Sequence, residues 1–507
     1  MTTLAIHIES PEAMEALAGQ LALVARPGQV VLLQGPLGSG KSVFARGFIR
    51  GLALNDIAFD IPSPTFTLVQ TYDETRIPVA HADLYRLTGA AEAEELGLDD
   101  LTTAHVLLIE WPERLNAPPA SDVLHVEISG GGDARQVNVA AKGSWVSALA
   151  RTQLIESFVR STGWAGAERR FLEGDASFRR YEVLSGGGAP RAILMDMAAR
   201  PDGPPVKDGK PYSAIAHLAE DIRAVIAVNR YLHGLGYSAP DTYAADPAAG
   251  LAIVEDLGDR VYGKMRLAGD DMREPMQAAV DVLADMAARE WPSSVPDGAG
   301  HMHKVPPYDR DAQLIEIDLL PSWFWPYLHG VEVPGDVAAV FHAAWEKVLP
   351  AAVALPPVWT LRDYHSPNLL WLPEREGLRR VGLIDTQDCV LGHPGYDLAS
   401  MLQDARVDIP AEEEQTLLDH YLSLRRRDGA FDADKFLAAY AILGAQRATK
   451  ILGIFARLSK RDGKHGYLRH LPRVSRYLER NLAHPVLAPV RDWYAAHLPQ
   501  HERERQA

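Results

Sequence analysis

A glycine-rich loop between a predicted strand and a predicted helix constrains this chain more than any other feature. The run Gly35–Ser42 fits the pattern G-x-x-x-x-G-K-[ST], with the strand-like Gln29–Gln34 before it and the helical pattern Ser42–Leu52 after it. Glycines let such a loop wrap tightly, so several backbone N–H groups converge on a phosphate at the positive end of the helix. Lys41 would contact the β- and γ-phosphates, and the Ser42 hydroxyl would bind Mg²⁺. The predicted nucleotide-binding residues are Gly35, Gly38, Ser39, Gly40, Lys41 and Ser42; the alternative is a glycine-rich turn with a surface lysine.

Composition and charge limit what surrounds this loop. The 507 residues are 47% hydrophobic and 23% charged, which allows a sizeable core and excludes wholesale disorder. With 51 basic and 67 acidic residues the net charge is −16, so a broad nucleic-acid-binding surface is not expected. The single cysteine, Cys389, excludes an internal disulfide. No signal-peptide pattern and no run of roughly 20 apolar residues is present, so we expect a cytoplasmic protein without membrane contact.

Further motifs follow the loop in the first part of the chain. They are Ser63–Val69, His81–Leu87, Glu95–Gly97 and Ile109–Leu115. In this order, together with the glycine-rich loop, they closely resemble the TsaE family, the P-loop ATPases of bacterial tRNA threonylcarbamoyladenosine synthesis. The resemblance covers about residues 5–140. It implies a domain that hydrolyses ATP, associates with TsaB- and TsaD-like partners, and meets tRNA only through them.

Three polar residues of these motifs are candidates for chemistry. By the resemblance, Thr65 belongs to a switch-like loop near the γ-phosphate, and Asp83 and Glu110 serve the metal or the attacking water. The residues themselves support this for Glu110, because a carboxylate at the carboxyl end of the apolar strand Val106–Glu110 lies where open α/β sheets place their ligands. Asp83 could equally be a helix-capping or surface carboxylate. Ser42 stands where the family usually has Thr, which preserves the hydroxyl.

The predicted elements change in character after about residue 143. Short strands alternate with helices up to that point, whereas a small strand region and then long helical patterns follow it, interrupted by one β-rich island, Trp359–Leu383. This predicts an α/β P-loop NTPase domain over residues 1–143 and a bilobal α+β protein-kinase-like domain over residues 144–507. The small lobe is expected over about 150–258 and the large lobe over about 259–507. The predicted strands include Phe66–Tyr72, Arg179–Leu184 and Ala192–Asp196, and the predicted helices include Trp145–Thr162 and Ile215–Leu235.

The β-rich island contains the residues that phosphoryl transfer requires. One carboxylate must orient the acceptor hydroxyl, and an Asn and a second Asp must hold Mg²⁺ against the phosphates. Asp363 and Asn368 share one tight loop between strands, and Asp385 ends the next strand, so a hairpin can bring the three together. The spacing of Asp363 and Asn368 alone is weak, because it is expected about once by chance in a chain of this length.

Longer stretches around these residues resemble the aminoglycoside phosphotransferase superfamily, and within it the AmgK-type anomeric amino-sugar kinases of cell-wall recycling. The stretches are Gly174–Tyr181, Ala192–Asp196, Val254–Asp259, Arg362–Asn368 and Asp385–Ala399. The resemblance covers about residues 150–495 and implies phosphorylation of the anomeric hydroxyl of N-acetylmuramate or N-acetylglucosamine by ATP. It implies that Asp363 is the catalytic base, that Asn368 and Asp385 are Mg²⁺ ligands, and that Asp397 braces the catalytic loop. The implied nucleotide-binding residues are Gly174, Ser177 and Arg179 in the nucleotide loop and Glu255 and Leu257 in the hinge.

Departures from the superfamily pattern keep alternatives open. Leu361 and His393 stand where a loop His and the Asp before Pro are usual, and the strand ending at Asp196 lacks the phosphate-binding Lys. Candidate substitutes for that lysine are Arg179, Arg180, Lys207 and Lys210, although the two lysines could simply lie in a solvated loop. The acceptor could instead be choline, homoserine or an aminoglycoside, or the second half could be a regulatory pseudokinase scaffold. The aromatic run 323–327 could stack on a sugar or lie in the core.

Overall fold

A seven-stranded sheet carries the P-loop in the computed structural model, which describes residues 2–53, 61–131, 134–172, 179–199, 203–219, 221–353, 356–429 and 431–505. Its strands are β1 (Thr2–Ile8), β2 (Val30–Gln34), β3 (Val69–Tyr72), β4 (Val79–Asp83), β5 (Val106–Glu110), β6 (Val123–Ser129) and β7 (Arg135–Ala141). They lie in the order β1-β7-β6-β2-β5-β4-β3, and β6, β2, β5 and β4 run parallel. All residues of β4 and β5 are buried, as expected for strands covered on both faces.

Short helices cover both faces of this sheet. They are α1 (Pro11–Leu23), α2 (Lys41–Gly51), α3 (Ala90–Glu94) and α4 (Leu98–Leu101). Helices α1 and α2 approach closely, because a Cβ at Gly47 would lie only 2.5 Å from the backbone of Glu15. Phe44 and Phe48 of α2 are fully buried in the core on this face, while Leu98 of α4 belongs to the core on the other face.

A five-stranded sheet follows helix α5 (Trp145–Arg160). The strands of this region are β8 (Glu168–Leu172), β9 (Arg180–Ser185), β10 (Ala192–Asp196), β11 (Pro205–Lys207), β12 (Lys210–Pro211), β13 (Thr242–Asp246) and β14 (Leu251–Glu255). The sheet order is β13-β14-β10-β9-β8, and β11 and β12 form a separate hairpin. Helix α5 contributes to two cores, since Trp145 and Leu149 pack with the P-loop sheet while Ile155 and Val159 pack with the five-stranded sheet.

Helices dominate the rest of the chain. They are α6 (Tyr212–Ile215), α7 (Ile222–Gly234), α8 (Tyr262–Ala268), α9 (Arg273–Ala287), α10 (Arg310–Ile317), α11 (Trp325–His329), α12 (Gly335–Val348), α13 (Gly395–Leu402), α14 (Ala411–Arg425), α15 (Ala433–Asp462), α16 (Leu471–Leu482), α17 (Ala488–His497) and α18 (Gln500–Arg503). Phe324 and Trp325 are buried in the core that these helices enclose, so the aromatic run 323–327 contributes mainly to packing. Within the described ranges, no helix combines the length and the apolar character that crossing a membrane would require.

Three short two-stranded antiparallel sheets interrupt the helices. Their strands are β15 (Ser294–Pro296), β16 (Met302–Lys304), β17 (Val358–Thr360), β18 (Leu369–Trp371), β19 (Val381–Leu383) and β20 (Val390–Gly392). β15 pairs with β16, β17 with β20, and β18 with β19. The pairs formed by β17–β20 and β18–β19 enclose the loops that carry the predicted catalytic residues.

The chain packs as two compact units. The first comprises Met1–Met197 with Ala244–Ile253, and the second comprises Ala198–Tyr243 with Val254–Ala507. This division differs from the boundary predicted at residue 143, because α5 ties the P-loop sheet and the five-stranded sheet into one unit. The boundary at 143 stays a prediction about where one sequence family ends and the next begins.

Two predicted elements are wrong in their extent, and backbone conformation explains both. The predicted helix Ile215–Leu235 is two helices, because His217 has a φ of 54° and Asp221 caps α7 by accepting a hydrogen bond from the backbone of its first turn. The predicted strand Phe66–Tyr72 begins only after Leu68, whose φ of 63° is incompatible with an extended strand.

Candidate functional sites

The glycine-rich loop has the backbone geometry that its sequence predicts. Gly35, Gly38 and Gly40 have φ values of 153°, 74° and 107°. A Cβ at Gly35 would lie 2.3 Å from the carbonyl oxygen of Ile128, so this position requires glycine. The Lys41 Nζ donates hydrogen bonds to the carbonyl oxygens of Gly35 at 2.8 Å and of Pro36 at 3.0 Å, so the ammonium group lies over the loop.

Two buried carboxylates lie side by side next to this loop. Asp83 and Glu110 end the neighbouring parallel strands β4 and β5 and are opposite each other in register. Ser42 Oγ donates to Glu110 Oε2 at 3.2 Å, and Thr65 Oγ1 donates to Asp83 Oδ2 at 2.8 Å. The structure therefore brings together the hydroxyl, switch-loop and acidic residues singled out from the sequence. The burial of Asp83 argues against the surface-carboxylate interpretation.

The charge of Lys41 depends on these acidic neighbours. Burial lowers the pKa of Lys41, while the nearby carboxylates, that of Glu110 first, oppose the shift. The Nζ also lies 4.0 Å from the centre of the Trp111 ring, which is a cation–π contact. Carboxylate and hydroxyl oxygens are ligands that Mg²⁺ prefers, so Ser42 and Glu110 fit a metal beside a phosphate at this loop.

Three residues of the P-loop site were not given roles in it from the sequence. Trp111 faces Lys41, and His81 Nε2 lies 3.0 Å from Glu110 Oε1. Arg135 donates hydrogen bonds to the carbonyl oxygens of Ser39 at 2.8 Å and of Gly38 at 3.2 Å. His81 and Trp111 adjoin the predicted strands and could have been found there. Arg135 comes from the start of β7, far along the chain, and carries no local signal.

The second predicted constellation also assembles. Pairing of β18 with β19 sets Leu369 opposite Leu383, and Ile384 N donates to the carbonyl oxygen of Asn368 at 3.1 Å. The Asn368 Nδ2 donates to the backbone carbonyl of Asp363 at 3.1 Å, so its amide oxygen is the end of the side chain that can bind a cation. The loops that carry Asp363, Asn368 and Asp385 therefore adjoin, as the hairpin argument predicts.

The electrostatic surroundings keep Asp363 ionised. Burial alone would raise the pKa of its carboxyl, but the neighbouring His365, followed by Lys450 and Arg362, lowers the pKa well below its usual value. His365 Nε2 lies 3.5 Å from Asp363 Oδ1. An ionised carboxylate can accept the proton of an attacking hydroxyl, as a catalytic base must.

Asp397 braces the catalytic loop, as the resemblance implies. Its carboxylate accepts hydrogen bonds from the backbone N–H groups of Leu361 at 2.6 Å and of Arg362 at 2.8 Å. Burial raises the pKa of Asp397 to about 7. Arg362, with a φ of 66°, sends its guanidinium to the buried Glu316. Both the backbone and the side chain of Arg362, the residue before the base, are therefore held in place.

His393, which stands where the superfamily usually has Asp, accepts a hydrogen bond at the start of α13. Its Nδ1 accepts a hydrogen bond from the backbone N–H of Gly395 at 3.0 Å. Burial lowers the pKa of His393 to about 4, so the ring is neutral at neutral pH and the acceptor nitrogen is retained. This departure from the superfamily pattern leaves the start of α13 capped.

The predicted nucleotide-binding residues of the second half are covered only in part. Gly174 and Ser177 lie outside the described residues, and Arg179 precedes β9. The backbone N–H of Glu255 donates to Asp241 O at 2.8 Å. Leu257 belongs to a small apolar cluster. These four residues and Glu255 therefore stay predictions.

The candidate substitutes for the missing strand lysine differ in their surroundings. Arg180 lies opposite Asp196 in register. It shares a face of the sheet with Glu182, and the Arg180 Nη2 lies 3.7 Å from the Glu182 carboxylate. Asp196 in turn pairs with Arg151 of α5, so this face is the one covered by α5. Lys207 and Lys210 are exposed on the β11–β12 hairpin, as the solvated-loop interpretation predicts.

A cavity of about 440 Å³ lies close to Asp385. Gln387 contributes to its wall and donates a hydrogen bond to Asp385 Oδ1 at 3.1 Å. The wall also includes His217, Asp297 and His303. Its volume falls within the range of roughly 300–1,000 Å³ typical of small-molecule sites. The buried Nε2 of His303 lacks a hydrogen-bond partner among the described residues, whereas Asp297 Oδ2 lies 3.4 Å from His301 Nδ1. The cavity suits a polar ligand of small size.

These two sites define the class of the protein: an α/β P-loop ATPase joined to a kinase-fold phosphotransferase, with ATP used in both halves. A family model described as threonylcarbamoyl adenosine biosynthesis protein TsaE matches residues 8–137, and one described as phosphotransferase enzyme family matches residues 168–434. The chain belongs to the TsaE family in its N-terminal part and to the phosphotransferase enzyme family in its C-terminal part. Both resemblances predicted from the sequence are thereby confirmed.

Individual relatives match the two halves separately. The chain is 37% identical over 355 residues to an N-acetylmuramate/N-acetylglucosamine kinase of Caulobacter vibrioides, covering 68% of this chain and 96% of that one. It is 36% identical over 137 residues to the tRNA threonylcarbamoyladenosine biosynthesis protein TsaE of Bacillus subtilis, covering 27% of this chain and 84% of that one. A solved choline/ethanolamine kinase family protein from Mesorhizobium loti is 16% identical with a TM-score of 0.41, covering 68% of this chain and 99% of that one.

Proposed function

We propose that the C-terminal half phosphorylates the anomeric hydroxyl of N-acetylmuramate or N-acetylglucosamine in cell-wall recycling. The observation that carries this is the assembly of Asp363, Asn368 and Asp385 around one pair of loops. The relative of Caulobacter vibrioides, matched over nearly its whole length, supports the choice of acceptor.

The proposed reaction assigns a role to each of these residues. Asp363 accepts the proton of the anomeric hydroxyl while that oxygen forms a bond to the γ-phosphorus of ATP and the bond to the β,γ-bridging oxygen breaks, releasing ADP. Asn368 and Asp385 would hold Mg²⁺. The metal, when bound there, offsets the negative charge of the phosphoryl oxygens. Asp397 positions the loop so that the base meets the acceptor in line.

For the N-terminal half, we infer ATP hydrolysis in support of tRNA N6-threonylcarbamoyladenosine synthesis, with TsaB- and TsaD-like partners. Lys41 would contact the phosphates, Ser42 and Glu110 would hold Mg²⁺, and Thr65 and Asp83 would sense or position the γ-phosphate side. The net charge of −16 supports contact with tRNA through partners rather than directly. We place both activities in the cytoplasm, where ATP and tRNA are present.

The kinase assignment is tested with the full chain, ATP and isotope-labelled amino sugars. We expect a sugar 1-phosphate whose formation falls by at least about 100-fold in Asp363→Asn, because the base is lost. Lys41→Ala serves as the matched control, since it removes the lysine of the other ATP site and should leave sugar phosphorylation within about twofold. Phosphorylation of choline, homoserine or an aminoglycoside in place of both sugars would show that the acceptor is wrong.

The ATPase assignment is tested in a reconstituted tRNA threonylcarbamoylation reaction with TsaB- and TsaD-like partners. We expect Lys41→Ala to abolish the support that the chain gives to repeated turnover, and Asp363→Asn to retain it. Full support by the Lys41→Ala chain would contradict the role of this site in tRNA modification.

A further inference from the structure

A half-buried arginine without an acidic partner lies on helix α15. Across the part of the chain that the structure describes, no carboxylate forms an ion pair with Arg457, and its Nε is buried without a hydrogen-bond partner. The next acidic residue of the helix, Asp462, is instead bound by Arg461 through two contacts of 2.7 and 2.9 Å. Arginines removed from water are ordinarily paired, whereas Asp462 acts on Arg457 only through its charge and without a direct contact.

The immediate neighbour of this guanidinium is an aromatic ring. The carbon that joins the Arg457 nitrogens lies 5.4 Å from the centre of the Tyr212 ring. Burial lowers the pKa of Arg457 from its usual value, which shows that the contact with the ring does not compensate for lost hydration. An anion bound there would offset the cost of burying this guanidinium.

The position of Arg457 connects it to the catalytic base. Lys450 lies two helical turns earlier on the same face of α15, and its Nζ donates to Glu316 Oε1 at 2.7 Å. Arg362, the residue before Asp363, binds the same carboxylate. Two cations thus share the Glu316 carboxylate, and both also act on Asp363 through their charge.

Tyr212 links these groups to the cavity described above. Its phenol lies close enough to Glu316, Lys450 and Arg457 for their charges to act on its pKa, which burial raises to about 12. The two residues that follow it in α6, Ser213 and Ala214, line the cavity. Arg457 does not line the cavity itself, but its neighbour Tyr212 directly precedes two residues that do.

We propose that Arg457, supported by the charge of Lys450, forms a subsite for a carboxylate carried by the acceptor sugar. This inference rests on the proposed kinase function and concerns the choice between its two substrates. N-acetylmuramate carries a lactyl carboxylate that N-acetylglucosamine lacks. A guanidinium binds a carboxylate through two parallel hydrogen bonds, which supplies both charge and geometry for that distinction.

The test compares kcat/KM for the two sugars in the full chain and in its variants. In Arg457→Met, which keeps much of the side-chain volume, we expect the ratio of N-acetylmuramate to N-acetylglucosamine to fall by about 10- to 100-fold, mainly through KM, because a charged hydrogen-bond pair is lost. Arg457→Lys should restore part of the ratio. Lys460→Ala removes an exposed positive charge from the same helix and should leave the ratio within about twofold.

A neutral substrate provides an independent measurement. With wild-type protein, the methyl ester of N-acetylmuramate should lose the same factor as Arg457→Met loses with the acid, and Arg457→Met should no longer distinguish acid from ester. An equal loss for both sugars would indicate a structural role and overturn the subsite. A raised KM for ATP with an unchanged ratio would instead indicate a nucleotide phosphate and also overturn it.

The outcomes separate this subsite from the function on which it rests. If wild-type protein phosphorylates both sugars but the ratio does not depend on residue 457, the subsite is wrong and the kinase assignment stands. If wild-type protein phosphorylates neither sugar, the kinase assignment fails and the subsite fails with it.

Discussion

The side chain of the catalytic aspartate is 39% exposed, and its neighbours also favour its ionised form. Burial pushes the pKa of Asp363 up, and His365 makes the largest contribution that pushes it down. Lys450 and Arg362 add to that effect. The base therefore owes its protonation state to one adjacent histidine and to cations that also bind Glu316.

Removing the histidine should make this dependence visible. In His365→Gln the pKa of Asp363 rises, so the acidic limb of the kcat/KM profile moves to higher pH and activity is lost first at the acidic end. The measurement is kcat/KM for N-acetylglucosamine between about pH 3 and 7, the range that includes the ordinary pKa of an aspartate. His501→Gln, an exposed histidine in α18, is the matched control and should keep the wild-type profile. A His365→Gln profile that superimposes on that of the wild type would contradict the account.

His393 predicts a pH dependence of stability. The folded chain holds this ring neutral with a pKa of about 4, whereas the unfolded chain binds a proton near the ordinary value of about 6.5. The free energy of unfolding therefore falls as the pH drops from 7 toward 4, by an amount on the order of 2 kcal/mol between pH 7 and 5. His393→Asn keeps an acceptor for Gly395 but does not titrate, so urea unfolding of this variant should lack that loss. Equal losses in both proteins would contradict it.

At the scale of elements, helix α5 lies between the segments that match the two family models and packs against a sheet from each. Its first turns bury Trp145 and Leu149 against the P-loop sheet, and its last turns bury Ile155 and Val159 against the five-stranded sheet. A hydrogen bond adds to this packing, since Glu156 Oε2 accepts from Gln20 Nε2 of α1 at 3.3 Å. The helix cannot be assigned to one half without exposing part of the other core.

The dual burial of α5 gives a test by fragment comparison. Leu149→Ala should destabilise the full chain by about 2–5 kcal/mol, because a buried leucine leaves a cavity. In a fragment of residues 144–507 the same change should cost less than about 0.5 kcal/mol, since Leu149 has no P-loop core to enter. Leu154→Ala, at an exposed position of the same helix, is the control in both. Chemical unfolding gives the free energy of unfolding for both substitutions in the full chain and in the fragment. An equal loss of stability by Leu149→Ala in the full chain and in the fragment would contradict the packing of α5 into two cores.

Local sequence predicted the elements and residues whose signals are local. The P-loop and the strand ending in Glu110 each lie within one strand–loop unit, so their pattern predicted them, whereas the pair Asp363 and Asn368 also needed the predicted hairpin and the longer stretches around it. Arg135 and Lys450 reach their sites by tertiary packing, from a distant strand and a distant helix. The sequence around each residue has only the ordinary pattern of a strand or of an amphipathic helix. The periodicity of α5 likewise predicts a helix but does not say that two cores share it.

At the scale of the whole molecule, two groups of basic side chains lie within an acidic chain. The net charge is −16, yet Lys41 and Arg135 converge on the P-loop, and Arg362, Lys450 and Arg457 lie around the kinase loop. Buried cations keep their effect because salt screens them little. The binding of phosphates and of a carboxylate that we propose therefore depends on local arrangement and not on overall charge.

The central claim is that the C-terminal half transfers phosphate to the anomeric oxygen of an amino sugar, and the position of the phosphate tests it most directly. The full chain is incubated with ATP, Mg²⁺ and either N-acetylglucosamine or its 1-methyl glycoside, and the products are examined by ³¹P NMR. We predict a phosphate signal coupled to the anomeric proton with the free sugar and no product with the glycoside, whose anomeric oxygen is blocked. Phosphorylation of the glycoside at a rate equal to that of the free sugar would contradict the claim.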